Sequence, residues 1–173
     1  MRNFWAGVIV FFTIVFCFWF QFNILNLVPL FGVTANIGIV FVVALGILCG
    51  KSTGITLGLI YGLLADVLLG KSVGVYMILY FLIGYLSGKI SYSFSKENKS
   101  SIVMMAAAAT LIFEVICYFM FVIFYGYEFE FFTTIWTIIL ECVYNIFVAW
   151  VFFKPLSFLA EIINKGKRSY YLL

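Results

Sequence analysis

The sequence predicts an all-α integral membrane protein with about six transmembrane helices, and three observations carry that expectation. Of the 173 residues, 66% are hydrophobic and only 10% charged, whereas a soluble globular chain is nearer half apolar and a quarter charged. The apolar residues fall into runs parted by short polar or glycine-containing breaks, and a helix needs about 20 such residues to cross the hydrocarbon core. When the helices alternate in direction, Arg2, Lys51, Lys89, Lys96, Lys99, Lys154, Lys165, Lys167 and Arg168 fall on one side and Lys71 alone on the other.

The expected spans run from about residue 4 to 22, 36 to 49, 54 to 69, 73 to 90, 102 to 125 and 131 to 153, as one polytopic domain over residues 1–173. The first apolar run is longer than the core of a secretory signal, and no small-residue cleavage site follows it, so it reads as a retained helix. Residues 23–35, with Pro29 and Gly32, read as a loop lying in the interface. The second and third spans are short, which fits either a helix with little tilt or one partly buried in protein. By the bias of basic residues towards the cytoplasm, both termini and the loop from Ser91 to Ser101 are expected to be cytoplasmic, and the loop holding Glu128 and Glu130 outside. The basic stretch from Lys154 onward is expected to lie against anionic headgroups.

Glycine recurs at every fourth position: Gly46, Gly50, Gly54, Gly58 and Gly62, continued on the same spacing by Asp66 and Gly70, then by Gly74, Gly84 and Gly88. A period of four keeps residues on one slowly drifting helix face, and small residues there let another backbone approach closely in lipid. The run crosses a turn at Lys51-Ser52-Thr53 and serves two helices. It fits either internal packing or a docking face for a separate protein, and the candidate partner-packing face is Gly54, Gly58, Gly62, Asp66 and Gly84. Asp66 itself fits a cap on the following turn or a polar anchor in a functional site.

Glu114 and Glu141 fall near mid-membrane when counted along their spans. A charged carboxylate there costs about 2.5–3.5 kcal/mol on insertion scales, so such residues face the bundle interior and find partners. Glu141, Tyr144 and Asn145 share one face of the sixth helix, and Glu114 shares a face of the fifth with Tyr118. These residues read as an intramembrane polar network that fixes helix register, with a proton or substrate pathway as the alternative. The outer half is expected to offer few convergent polar groups for a small ligand.

The chain has no histidine, which removes Ser-His and Cys-His catalysis and His-ligated zinc. Its single aspartate excludes an aspartyl dyad and Asp-rich magnesium motifs. Cys17, Cys49, Cys117 and Cys142 are far apart, lack metal-ligand spacing and read as small packing residues. No enzyme activity, cofactor, metal site or nucleic-acid partner is expected.

The segment Gly54-Ile-Thr-Leu-Gly58-Leu-Ile-Tyr-Gly62-Leu-Leu-Ala-Asp66, then Leu69-Gly70-Lys-Ser-Val-Gly74-Val-Tyr76, then Gly84-Tyr85-Leu-Ser-Gly88-Lys89, resembles the signature region of the MreD family, the membrane component of the bacterial rod-shape system. Length, span count and the basic ends follow the family, as do Glu114, Asn145 and Pro155. Ala35-Asn36-Ile37 departs from it, because many members begin the second span with Pro-Asp-Leu. The resemblance implies a fold similar to the substrate-binding subunits of energy-coupling-factor transporters. It also implies a scaffold in the cytoplasmic membrane that holds a bitopic MreC-like protein and links MreB filaments, indirectly, to wall-synthesis enzymes. The alternative function is a substrate-binding subunit of such a small-molecule transporter. Those subunits usually present a small-residue docking face on their first helix, whereas here Phe4 to Phe20 is bulky.

Overall fold

The computed structural model describes residues 2–29, 31–69, 74–91, 99–126 and 130–168. Lys71, Lys96 and Glu128, which the sequence places in loops, lie outside the described residues, as does Gly70 of the glycine run. The described residues form six α-helices: α1 (Arg2–Asn23), α2 (Ile37–Cys49), α3 (Lys51–Leu69), α4 (Val75–Ile90), α5 (Lys99–Tyr125) and α6 (Phe131–Arg168), with a 3-10 turn at Leu25–Leu27. Four stretches are long and apolar enough to cross a membrane: Val8–Leu27, Lys51–Leu69, Lys99–Phe124 and Phe131–Lys165. The other two helices are shorter. Broad apolar surfaces such as Phe12, Val67, Ile123 and Phe147 point outward, as expected where lipid is the solvent.

The shortest helix is the centre of the bundle. Every residue of α2 is buried, and α3, α4, α5 and α6 pack around it. Its sequence, apolar on all faces with Gly38 and Gly46 as the smallest residues, suits a helix that meets protein all round. Asn36 starts it by accepting from the Ile39 N–H, one of the amides a helix N-terminus leaves unsatisfied. At the other end, Gly50 is the entire connection to α3 and has φ of 88°, a conformation that favours glycine. The turn expected at residues 51–53 is therefore one residue long and lies earlier, and Lys51 to Thr53 already belong to α3.

α3 and α4 run antiparallel with their backbones in contact. A Cβ on Gly54 would strike the carbonyl of Gly84, and one on Gly84 would strike the carbonyl of Gly54. Gly58 faces the backbone of Tyr80 in the same way, and Gly88 that of Lys51. A Cβ on Gly62 would lie 2.5 Å from Cα of Met77. Since backbone atoms cannot rotate aside, no side chain larger than hydrogen fits along this seam.

At the far end of α6 the structure departs from the sequence reading. The helix continues through Pro155 to Arg168 instead of ending near residue 153. Leu156, Leu159, Ala160 and Ile163 are buried, and the Asn164 side-chain amide donates to the Leu48 carbonyl at 3.1 Å. An apolar stripe spaced by three and four residues thus packs beneath the end of α2. Within the segment expected to lie on headgroups, Leu156, Leu159, Ala160 and Ile163 belong to the core.

Candidate functional site

Because α2 is 13 residues long, it rises only about 20 Å. Its start is fixed against α6 by the Asn36 N–H, which donates to Asn145 Oδ1 at 2.7 Å. Asn145 lies 14 residues into α6, about 21 Å along it. Above the first residue of α2 the surrounding helices continue without it. They enclose a partly open cavity of about 500 Å³.

Each neighbouring helix contributes polar or aromatic groups to that space. α5 supplies Glu114 and Tyr118, and α6 supplies Thr133, Thr134, Thr137 and Glu141. α4 supplies Tyr76 and Tyr80, α3 supplies Tyr61, α1 supplies Gln21, and the stretch before α2 supplies Thr34 and Asn36. Glu114 and Glu141 line the same space and lie close enough to interact electrostatically. Tyr61 donates to Gln21 Oε1 at 3.3 Å, and Tyr80 donates to Asn36 Oδ1 at 2.7 Å. The rings of Tyr61, Tyr80, Phe113 and Tyr76 follow one another, with centroids 5.0, 4.9 and 6.2 Å apart.

Of the four residues expected in a polar network, Glu114 and Glu141 line this space, and Asn145 bonds to Asn36, which lines it too. Asn145 is fully buried and its amide donates to Thr110 Oγ1 at 2.9 Å. Tyr144 points elsewhere, and its hydroxyl donates to the Val28 carbonyl at 2.9 Å, holding the loop before α2. The expectation of few convergent polar groups in this half is overturned by the cavity. The missed signal was present on α6: Thr134, Thr137, Glu141 and Asn145 recur at intervals of three or four and form one helical stripe.

The glycine face is placed differently from the docking reading. Gly54, Gly58, Gly62 and Gly84 are all buried in the seam between α3 and α4, which closes that face to a partner helix. Asp66 is committed as well. Its carboxylate accepts from the N–H groups of Gly74, Tyr76 and Met77 at 2.9, 3.0 and 3.0 Å. Gly74 sits at the N-cap of α4 with φ of 92° and has no side chain to offer, so Asp66 supplies the cap from the neighbouring helix.

Fold and site together define a multi-pass membrane protein of the helical-bundle class, built around a wholly buried central helix with a polar chamber above it. The chain belongs to the MreD family: the family model described as rod shape-determining protein MreD matches residues 1–159. No curated protein and no solved structure matches it. Membership places the protein in rod-shape determination.

Proposed function

We propose that the chain is a non-enzymatic scaffold of the bacterial cell-elongation complex. In this reading it binds an MreC-like bitopic protein within the cytoplasmic membrane and helps couple MreB filaments to peptidoglycan synthesis outside. The family match over residues 1–159 carries the reading. Among the described residues, no group of three His, Cys, Asp or Glu side chains is placed to hold a metal ion, and the described part is helical bundle with little outside it. A partner must then be met largely within the bilayer.

The orientation rests on charge. Lys51 begins α3, Lys89 ends α4, Lys99 begins α5, and Lys154 and Lys165 lie in the last part of α6. Antiparallel packing gathers these at one end, which the positive-inside rule assigns to the cytoplasm. Lys99 Nζ sits 3.8 Å from the Trp150 ring centroid, and Lys51 Nζ sits 4.5 Å from that of Tyr85. These pairs give the same end an aromatic belt with cations on it.

With the glycine seam closed, the partner helix meets a lipid-facing surface. Photo-crosslinking residues at the exposed positions Phe12, Leu82, Phe119 and Phe147 test this in cells that co-express an MreC-like protein. An adduct with that protein at one or more positions, together with co-purification in mild detergent, supports the scaffold role. Absence of adducts at all four and of co-purification overturns it.

A further inference from the structure

The chamber above α2 holds two carboxyl groups, those of Glu114 and Glu141, that face no basic side chain among the described residues. The sequence has no histidine to act as an alternative cation. Much of the remaining lining is aromatic, with Tyr61, Tyr76, Tyr80 and Phe113 forming a continuous wall of rings. Gln21, Thr34 and Asn36 add neutral polar groups at the same level. Carboxyl groups and ring faces share one preference, for a positive charge that has shed its water.

Size narrows the class further. A volume of about 500 Å³ falls within the roughly 300–1,000 Å³ of small-molecule sites. A bare metal ion would leave most of it unfilled, and the two acids and Cys117, which also lines the space, form no group placed to hold one among the described residues. An organic cation fits both the carboxyl groups and the volume.

We propose that this chamber binds an organic ammonium group, held between the Glu114 and Glu141 carboxyls and the rings of Tyr76, Tyr80 and Phe113. The group belongs either to a free small amine or to the headgroup of an amine-bearing phospholipid. The site stands apart from the scaffold role, since its residues lie inside the bundle and not on the lipid-facing positions where a partner helix would dock.

The test uses the full chain in detergent and in lipid nanodiscs. Thermal unfolding followed by intrinsic fluorescence is measured with choline, with ethanolamine and with 3,3-dimethylbutan-1-ol, which has the shape of choline without its charge. Choline or ethanolamine is expected to raise the midpoint in a saturable way, and the neutral isostere is not. In the double variant Glu114→Gln, Glu141→Gln, which keeps hydrogen-bonding groups of the same size, the apparent affinity for the cation should fall about tenfold or more. A lipid arm separates the two sources. Stabilisation by phosphatidylethanolamine over phosphatidylglycerol in nanodiscs, without an effect of the soluble amines, assigns the headgroup as the ligand. Should the double variant fail to fold, the comparison of choline with its isostere on the unmodified protein decides alone. Equal effects of cation and isostere would overturn the proposal, as would no effect of the soluble amines and no difference between the two lipids.

Discussion

The carboxylate of Asp66, on α3, accepts the backbone N–H of Tyr76 at 3.0 Å and so caps a helix to which it does not belong. The same carboxylate accepts from Gly74 and Met77, so one side chain satisfies three amides at the start of α4. We expect Asp66→Ala to leave them unpaired and to destabilise the fold by about 1–3 kcal/mol. Asp66→Asn, which keeps one oxygen acceptor, should fall between it and the unmodified protein. Thermal unfolding in detergent checks the order. Equal midpoints for all three would show that water serves these amides as well as the carboxylate does.

The seam between α3 and α4 makes a sharper forecast. A leucine at Gly58 would press on the backbone of Tyr80, and one at Gly62 on that of Met77. Gly58→Leu and Gly62→Leu should therefore abolish the monodisperse peak in size-exclusion chromatography, at a cost at or above the ~1–3 kcal/mol of ordinary overpacking. Leu63→Ala, at an exposed neighbouring position, should elute normally. A well-folded Gly58→Leu protein that had lost only its partner would restore the docking-face reading.

The fold was legible in the sequence where one physical rule dominated. Apolar length marked the helices, and the period-four glycines marked a close contact, because each signal lies within one or two adjacent helices. What escaped was decided by partners distant in sequence. That α2 is sheathed on all sides, and that Glu114 and Glu141 meet in a chamber above it, depends on five helices at once. The role of Asp66 was half legible: a cap was foreseen, but on the turn that follows it and not on α4. The end of the last helix, expected near residue 153, was placed too early. Pro155 removes one helix amide, yet the buried stripe from Leu156 to Ile163 carries the helix past it.

Asn145 links three elements, accepting from Asn36 on the loop into α2 and donating to Thr110 on α5. Replacing it by leucine should destabilise the protein by about 1–3 kcal/mol, since it strands the Asn36 amide and takes a donor from the buried Thr110 hydroxyl, which keeps its own bond to the Ala106 carbonyl. Combining it with Thr110→Val should cost less than the sum of the two single changes, because the shared hydrogen bond is lost only once. A double-variant cycle on unfolding midpoints reads the coupling, and strict additivity would mean that the bond contributes nothing.

Sidedness gives a prediction independent of stability. In a background without the four native cysteines, Phe132→Cys at the start of α6 should react with a membrane-impermeant thiol reagent applied to intact cells. Glu161→Cys, near the basic end of the same helix, should react only after the cells are opened. Both positions are exposed. The reverse pattern would invert the whole arrangement.

The last part of α6 separates packing from charge. If it were held to the membrane by its lysines, neutralising Lys154 and Lys165 would release it, and its apolar residues would matter little. The structure argues otherwise: Leu156 and Leu159 are buried, and Cys49 Sγ approaches the Ala160 carbonyl at 3.8 Å, so this segment closes the bundle under α2. Lys154 is exposed, and the 4.0 Å ion pair of Lys165 with Glu161 joins two exposed side chains, a kind that contributes little. Leu156→Ala with Leu159→Ala should lower the unfolding midpoint markedly, at about 2–5 kcal/mol for each buried leucine truncated. Lys154→Gln with Lys165→Gln should leave the midpoint nearly unchanged. A large loss from the lysine pair and none from the leucine pair would return the segment to the headgroups and leave the lower end of α2 to be covered by something else.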